Sequence, residues 1–239
     1  MQYLGISYDM KHAPKLDPTF VPFGVWRAKY LEGAKHPIAI AVEREAGKVS
    51  VLRTFIHNTP EMAEADYRCV ERYVKFLLWS IGGFRVSVCG CSDIAKKLAA
   101  AYKPDGERSF DHEFVGQLYE REIEILDLPL EACPEANECA QPMGGHMDGC
   151  RIGFDAGGSD RKVSAVIDGE CVYSEEVVWH PKKNPDPTYQ YEGILDSFRT
   201  AASKMPRVDG IGVSTAGVFI GNAPMISSIF YCVPRERWD

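Results

Sequence analysis

The chain has no uninterrupted apolar stretch approaching the roughly 18 residues that a membrane-crossing helix needs. Residues 1–11 lack the basic-then-apolar order of a secretory signal. Positive charge is scarce as well. Lys and Arg number 27 against 34 Asp and Glu, for a net charge of −7, whereas a nucleic-acid-binding surface needs a basic face. These absences set the expectation of a cytoplasmic protein with neither a membrane nor a nucleic-acid partner. Gly and Pro, 21 and 15 of 239 residues, are too few and too irregular for a collagen-like or low-complexity chain. What is there, 45% hydrophobic and 26% charged residues, suits one large globular domain or two modest ones. The eight cysteines, without a signal, read as reduced thiols.

The pattern along the chain is α/β. Residues 1–35 mix a short apolar strand at 3–8 with Pro14, Pro18 and Pro22, which predicts irregular surface structure. Residues 37–42 and 49–56 around Glu43-Arg44-Glu45-Ala46-Gly47 predict a β-hairpin. A helix is expected from Thr59 as N-cap with Pro60 behind it, through Val70, Tyr73, Val74, Leu77, Leu78 and Ile81 to Gly82-Gly83. A strand at 84–89 and a helix at 92–102 capped by Ser92 follow. Residues 126–149 hold three prolines and three glycines with little periodicity, and predict a linker. Beyond it the pattern gives strands at 151–155, 162–167 and 171–178 with a tight turn at Asp168-Gly169. A helix at 189–205, a strand at 208–214 and a hairpin at 218–229 complete it. The expected domains are therefore 1–149, an α/β domain with the linker at its end, and 150–239. Both halves run hairpin, helix, strand, and this shared order raises the expectation that the first is a degenerate copy of the second.

Two stretches carry candidate chemistry. Asp155-Ala156-Gly157-Gly158-Ser159 closes one strand and opens the next. Successive amides in such a turn can form an anion-binding nest, Ser159 adds a hydroxyl, and Asp155 can hold a magnesium ion through water. A Gly-Gly hairpin turn flanked by charges is the alternative. The second stretch, Ile211-Gly212-Val213-Ser214-Thr215-Ala216-Gly217, places Ser214 59 positions after Asp155, at a strand's carboxyl end. A tight strand-ending loop is its alternative.

Together, Asp155-x-Gly-Gly-Ser159 and Ile211-Gly-Val-Ser-Thr-Ala-Gly217, with a helix between them, resemble the opening half of ROK-family proteins. That family of repressors and sugar kinases belongs to the actin/hexokinase/heat-shock-chaperone superfamily. The resemblance covers residues 151–239 and implies a ribonuclease-H-like (actin-like ATPase) domain. It also implies ATP and Mg as cofactors and a sugar as the small-molecule partner, and it leaves a homodimer open. Asp155, Gly157, Gly158 and Ser159 would be the phosphate motif, with Mg on Asp155; Ser214, Thr215 and Gly217 would lie by the substrate. The family's Asn-Asp-Ala-Asn-like motif, which carries the catalytic aspartate, and its Cys-x-Cys-Gly zinc motif do not occur after Gly217. The expectation is an amino-terminal fragment of a sugar kinase without its own base; the rival is a non-catalytic sugar-binding regulator. Residues 1–149 match no ROK feature.

The remaining candidates stand apart from the resemblance. Cys133, Cys139, His146 and Cys150 are chemically adequate for zinc, but their Cys-x5-Cys-x6-His-x3-Cys spacing lacks the short knuckle of structural sites, and free thiols are the alternative. Cys69, Cys171 and Cys232 sit in apolar contexts that predict core positions. His180, Lys182, Lys183 and Asp186 lie on the loop after the third strand; such loops often close over substrate, and a solvated charged loop is the default expectation.

Overall fold

The computed structural model describes residues 1–12, 14–138 and 144–238. The chain separates into two units, Met1–Ala140 and Gln141–Asp239, each mixed α/β. Among the described residues no helix is long and apolar enough to cross a membrane.

The first unit opens with a small hairpin, β1 (Gln2–Tyr3) and β2 (Ile6–Ser7), and helix α1 (Phe23–Leu31). Then come β3 (His36–Arg44), β4 (Lys48–Ile56), α2 (Ala63–Ser80), β5 (Arg85–Cys89), α3 (Ser92–Ala101), α4 (Ser109–Tyr119) and β6 (Glu124–Leu128). The sheet order is β4-β3-β5-β6, with β3 antiparallel to both neighbours and β5 parallel to β6. Ile38, Ala39, Ile40, Ala41 and Val42 are all buried because β3 is central and covered on both faces, as its unbroken apolar run requires. Helix α2 turns Val70, Tyr73, Val74, Leu77 and Leu78 into this core. The left-handed Gly82, at φ 84°, follows the helix's cap Ile81, and Gly83 at φ 148° must be small because a side chain there would strike Val42 and stand 2.9 Å from the Glu43 carbonyl.

Several expectations are corrected here. Residues 1–35 are not merely irregular surface, since α1 carries Trp26 and Tyr30 into the core, both fully buried. The Trp26 indole donates to the Tyr3 carbonyl at 2.9 Å. The Tyr30 hydroxyl donates to Asp66, whose carboxylate also accepts from the His57 and Asn58 amides at 3.0 and 2.8 Å. Burial pushes the Tyr30 phenol strongly upward, so it stays a donor. Thr59 and Ser92 do not cap with their side chains; a short 3-10 turn at Pro60–Met62 precedes α2, and the Ser92 hydroxyl donates to Asp127. The stretch 126–149 is not all linker, because Leu126 to Leu128 complete β6 and Asn137 bridges to Val49.

The second unit contains β7 (Cys150–Ala156), β8 (Asp160–Ile167), β9 (Glu170–Val178), α5 (Pro187–Ala202), β10 (Gly210–Thr215), β11 (Gly217–Ile220) and β12 (Ala223–Ser227). Its sheet order is β10-β7-β8-β9: the first three strands form an antiparallel meander, and β10 lies parallel to β7. Asp168 and Gly169 make the meander's second turn at φ 48° and 87°. Asp186 caps α5 by accepting from the Thr188 amide at 3.2 Å. One face of the sheet, Ile152, Phe154, Ala156, Val163 and Ala165, packs with Phe198 and Ala201 of α5. The other face is left open. Cys69 is buried as expected, but Cys171 and Cys232 are exposed, Cys171 because β9 is an edge strand.

Strand-for-strand duplication does not hold. In both units the strand after the long helix pairs with the first hairpin strand, yet β5 runs antiparallel to β3 while β10 runs parallel to β7. The reason is parity. Two strands of its sheet, β3 and β4, precede α2 and three, β7 to β9, precede α5, so the returning strand enters from opposite ends of the sheet.

The first unit depends on its buried indole. Replacing Trp26 by Ala is expected to lower that unit's unfolding free energy by about 3–5 kcal/mol through the cavity left behind. Urea denaturation followed by circular dichroism checks this, and a loss under about 1 kcal/mol would show that α1 is a loosely held appendage.

Candidate functional site

The Asp155-x-Gly-Gly-Ser159 segment falls at the turn between β7 and β8, with Asp155 near the end of β7 and Gly157, Gly158 and Ser159 outside both strands. Two features fix its shape from one side. The buried Trp179 donates its indole N–H to the Gly157 carbonyl at 2.8 Å, and its own amide donates to the Ser159 carbonyl at 3.1 Å. Gly157 must be small: a Cβ there would sit 2.5 Å from the Asp160 carbonyl. Neither Gly157 nor Gly158 has a positive φ, so these glycines serve close approach rather than left-handed backbone.

The turn's carbonyls are used and its amides are not. Among the described residues, no acceptor takes the N–H of Gly157, Gly158 or Ser159. Lys182 lies over the same turn, with Nζ 2.7 Å from where a Gly158 Cβ would stand. That lysine, expected on a solvated loop, is the site residue that sequence reasoning missed. Only its place after β9, on the loop that returns past the β7–β8 turn, hinted at the contact. Asp160 and Lys162 form an ion pair at 2.6 Å beside the turn, which lowers the Asp160 carboxyl and raises the Lys162 ammonium. The Ser159 hydroxyl leans toward Asp160 at 3.3 Å.

The second stretch meets the first across the β7–β10 pairing. Register sets Ser214 beside Asp155 and Gly212 beside Gly153, so residues 59 positions apart in sequence become neighbours on the open face. There they line a shallow groove of about 520 Å³ with a floor of Gly153 and Gly212, bordered by Asp155, Lys162, Ser164 and Ser214. Among the described residues the Asp155 carboxylate has no salt-bridge partner. Thr215 and Gly217 have structural work instead. The Thr215 hydroxyl donates to the Ala156 carbonyl at 3.0 Å, and Gly217 opens β11 where a side chain would collide with the Ile226 carbonyl. In the sulfur and imidazole set, Cys139 lies outside the described residues. Among the described residues no group of three or more His, Cys, Asp or Glu side chains is gathered to hold a metal ion.

The register has its own lock. Asp209 accepts from the Cys150 amide at 2.9 Å, its amide donates back to the Cys150 carbonyl at 2.8 Å, and Arg207 holds the carboxylate at 2.8 Å. The Arg207 hydrogen bond, then the Cys150 amide, depress the Asp209 carboxyl. No protein-family model matches this sequence, and no curated protein matches it.

Two outcomes follow from this geometry. Trp179→Phe keeps the packing but removes the indole donor, so exchange of the amide at position 179, which donates to the Ser159 carbonyl, is expected to accelerate by about tenfold, the equivalent of one hydrogen bond; unchanged exchange there would assign the turn's order to something else. Because the Asp209 carboxyl is depressed, its contribution is complete above the unfolded carboxylate range near pH 4 and is lost as pH falls through the lower folded value. Protection factors of β10 amides are therefore expected to fall in acid. In Asp209→Ala they should already be low at pH 6, and equal protection in the two proteins would refute the lock.

Proposed function

We propose that residues 150–239 are the amino-terminal lobe of a ROK-like sugar kinase, a ribonuclease-H-like domain that takes part in phosphoryl transfer from ATP to a sugar hydroxyl in the full-length protein. The observation that carries this reading is the run of three amides without internal acceptors at a strand end, beside Asp155 and under Lys182. Consecutive amides without an acceptor among the described residues, with an ammonium beside them, suit phosphate oxygens. The meander followed by a helix and a parallel strand beside β7 supports the ribonuclease-H-like assignment. So does β10 itself. Ile211 and Val213, in register with the covered Ile152 and Phe154, are 48% and 59% exposed, as suits a strand whose sheet is continued by further chain.

In this reading the turn grips phosphate, Lys182 offsets its charge and Asp155 holds Mg through water. These residues fit the ion, since Asp155 is a carboxylate free of salt bridges among the described residues and neighbours the turn. Bound magnesium supplies neutralisation of charge on the phosphates. Ser214, exposed beside Asp155, is placed to hydrogen-bond a sugar hydroxyl, while Thr215 and Gly217 shape the strand end rather than touch the sugar. Residues 218–239 hold no Asn-Asp motif, so no residue of this sequence is assigned the task of taking the hydroxyl proton.

Magnesium tripolyphosphate is the direct probe. The chain is expected to broaden its ³¹P resonances, and Asp155→Asn or Lys182→Gln to weaken binding by tenfold or more. No broadening, or equal broadening by both variants, would refute phosphate binding at the turn. Sugar-dependent ATP turnover by this chain, abolished in Ser214→Ala, would show that the catalytic residues have been misplaced.

A further inference from the structure

The first unit has a groove of different chemistry, about 670 Å³, between α1, α2 and β4. Its apolar wall includes Phe23, Phe76 and Trp79, of which Phe76 and Trp79 are 65% and 49% exposed. Arg27, Arg72 and Lys75 also line it, and no carboxylate does. In a chain of net charge −7 that local sign is unexpected. Among the described residues none of these three cations is in a salt bridge. Their nearest company is aromatic: the Arg72 guanidinium lies 5.8 Å from the Phe23 ring centre and that of Arg27 lies 5.9 Å from the Tyr73 ring. Arg27 also reaches the Tyr73 hydroxyl, at 3.5 Å.

We infer that this groove binds an amphipathic carboxylate, with the head on Arg27 and Arg72 and the apolar body along Phe76 and Trp79. The groove's volume is that of an ordinary small-molecule site, and a mostly apolar lining with a few convergent polar groups is the usual composition of one. A guanidinium presents a fork that matches a carboxylate, and a weakly hydrated cation gives up little water on pairing. The body would cover aromatic surface that is otherwise wet. A neutral ligand would leave the cations unanswered, and a cationic one would be repelled.

Decanoate, with decanol and decyltrimethylammonium as its uncharged and cationic counterparts, tests this by isothermal titration calorimetry below micelle-forming concentrations. Decanoate is expected to bind at least tenfold more tightly than either counterpart. The double variant Arg27→Gln/Arg72→Gln should erase that preference, and Phe76→Ala should weaken decanoate and decanol alike. Both guanidiniums are exposed, so the double variant is expected to keep the parent's thermal transition. If it does not, Lys75→Gln, expected to weaken decanoate at least threefold, carries the test. Decanol binding as tightly as decanoate, unchanged decanoate affinity in these variants, or loss of decanoate binding in Lys182→Gln would overturn the inference.

Discussion

Strand β10 lies parallel to β7 in the register that sets Ser214 beside Asp155, and the rest of the candidate site depends on that alignment. A slip of one residue would turn Ser214 and Gly212 to the α5 face and bring Val213 onto the polar groove. Hydrophobic pairing under α5 opposes that slip only weakly on β10, because Ile211 and Val213 are themselves exposed. The polar lock at the strands' amino ends therefore matters. Asp209 and Cys150 exchange backbone and side-chain hydrogen bonds, and Thr215 ties the other end to the Ala156 carbonyl. A strand held at both ends keeps the groove floor open to a ligand without needing bulky side chains along it.

The turn beside that groove is organised by a division of its backbone groups. Trp179 takes the carbonyls of Gly157 and Ser159, while the intervening amides have no acceptor among the described residues. An unpaired amide costs little while water reaches it, so the arrangement is stable without ligand and needs no rearrangement to accept one. The local charges support the same economy. Asp160 is answered by Lys162, which leaves Lys182 and Asp155 without a salt bridge among the described residues, one suited to an anion and the other to a cation.

How far these features could be read from the sequence depends on the range of the interaction behind each. The strands at 151–155 and 171–178, the Asp168-Gly169 turn and the apolar positions of α2 follow from local periodicity and turn chemistry, and the structure contains them. Helix α1 could not be read that way. Trp26 and Tyr30 are its only fully buried positions, Gly24 and Val25 are exposed, and burial against distant Tyr3 and Asp66 holds it in place. Strand β6 is short and marginal by pattern, and its existence rests on the edge of β5. At the site, the Asp-x-Gly-Gly-Ser turn was visible because glycines and an aspartate announce themselves. Lys182 was not, since nothing local separates a lysine that folds over a turn from one in water. The shared hairpin-helix-strand order misled for a related reason: element order does not encode strand direction, which follows from counting strands between the ends of a sheet.

The two units meet solvent with opposite chemistry, and that contrast bears on what each can do. The groove on the second unit's other face sets Asp155, Lys162, Ser164, Ser174 and Ser214 around glycines, with Phe154, Val163 and Val213 also in its lining, and so offers directed hydrogen bonds and charge. The first unit's groove joins aromatic rings to guanidiniums that have no salt bridge among the described residues, which reward a ligand that is partly apolar and singly charged. A sugar or a phosphate satisfies the first set of groups and would leave the aromatic wall of the second wet. An amphipathic acid satisfies the second and finds no guanidinium lining the first. Selectivity between the two surfaces thus follows from the unfavourable half of each mismatch as much as from the favourable contacts. That is why the two units need not compete for the same molecules.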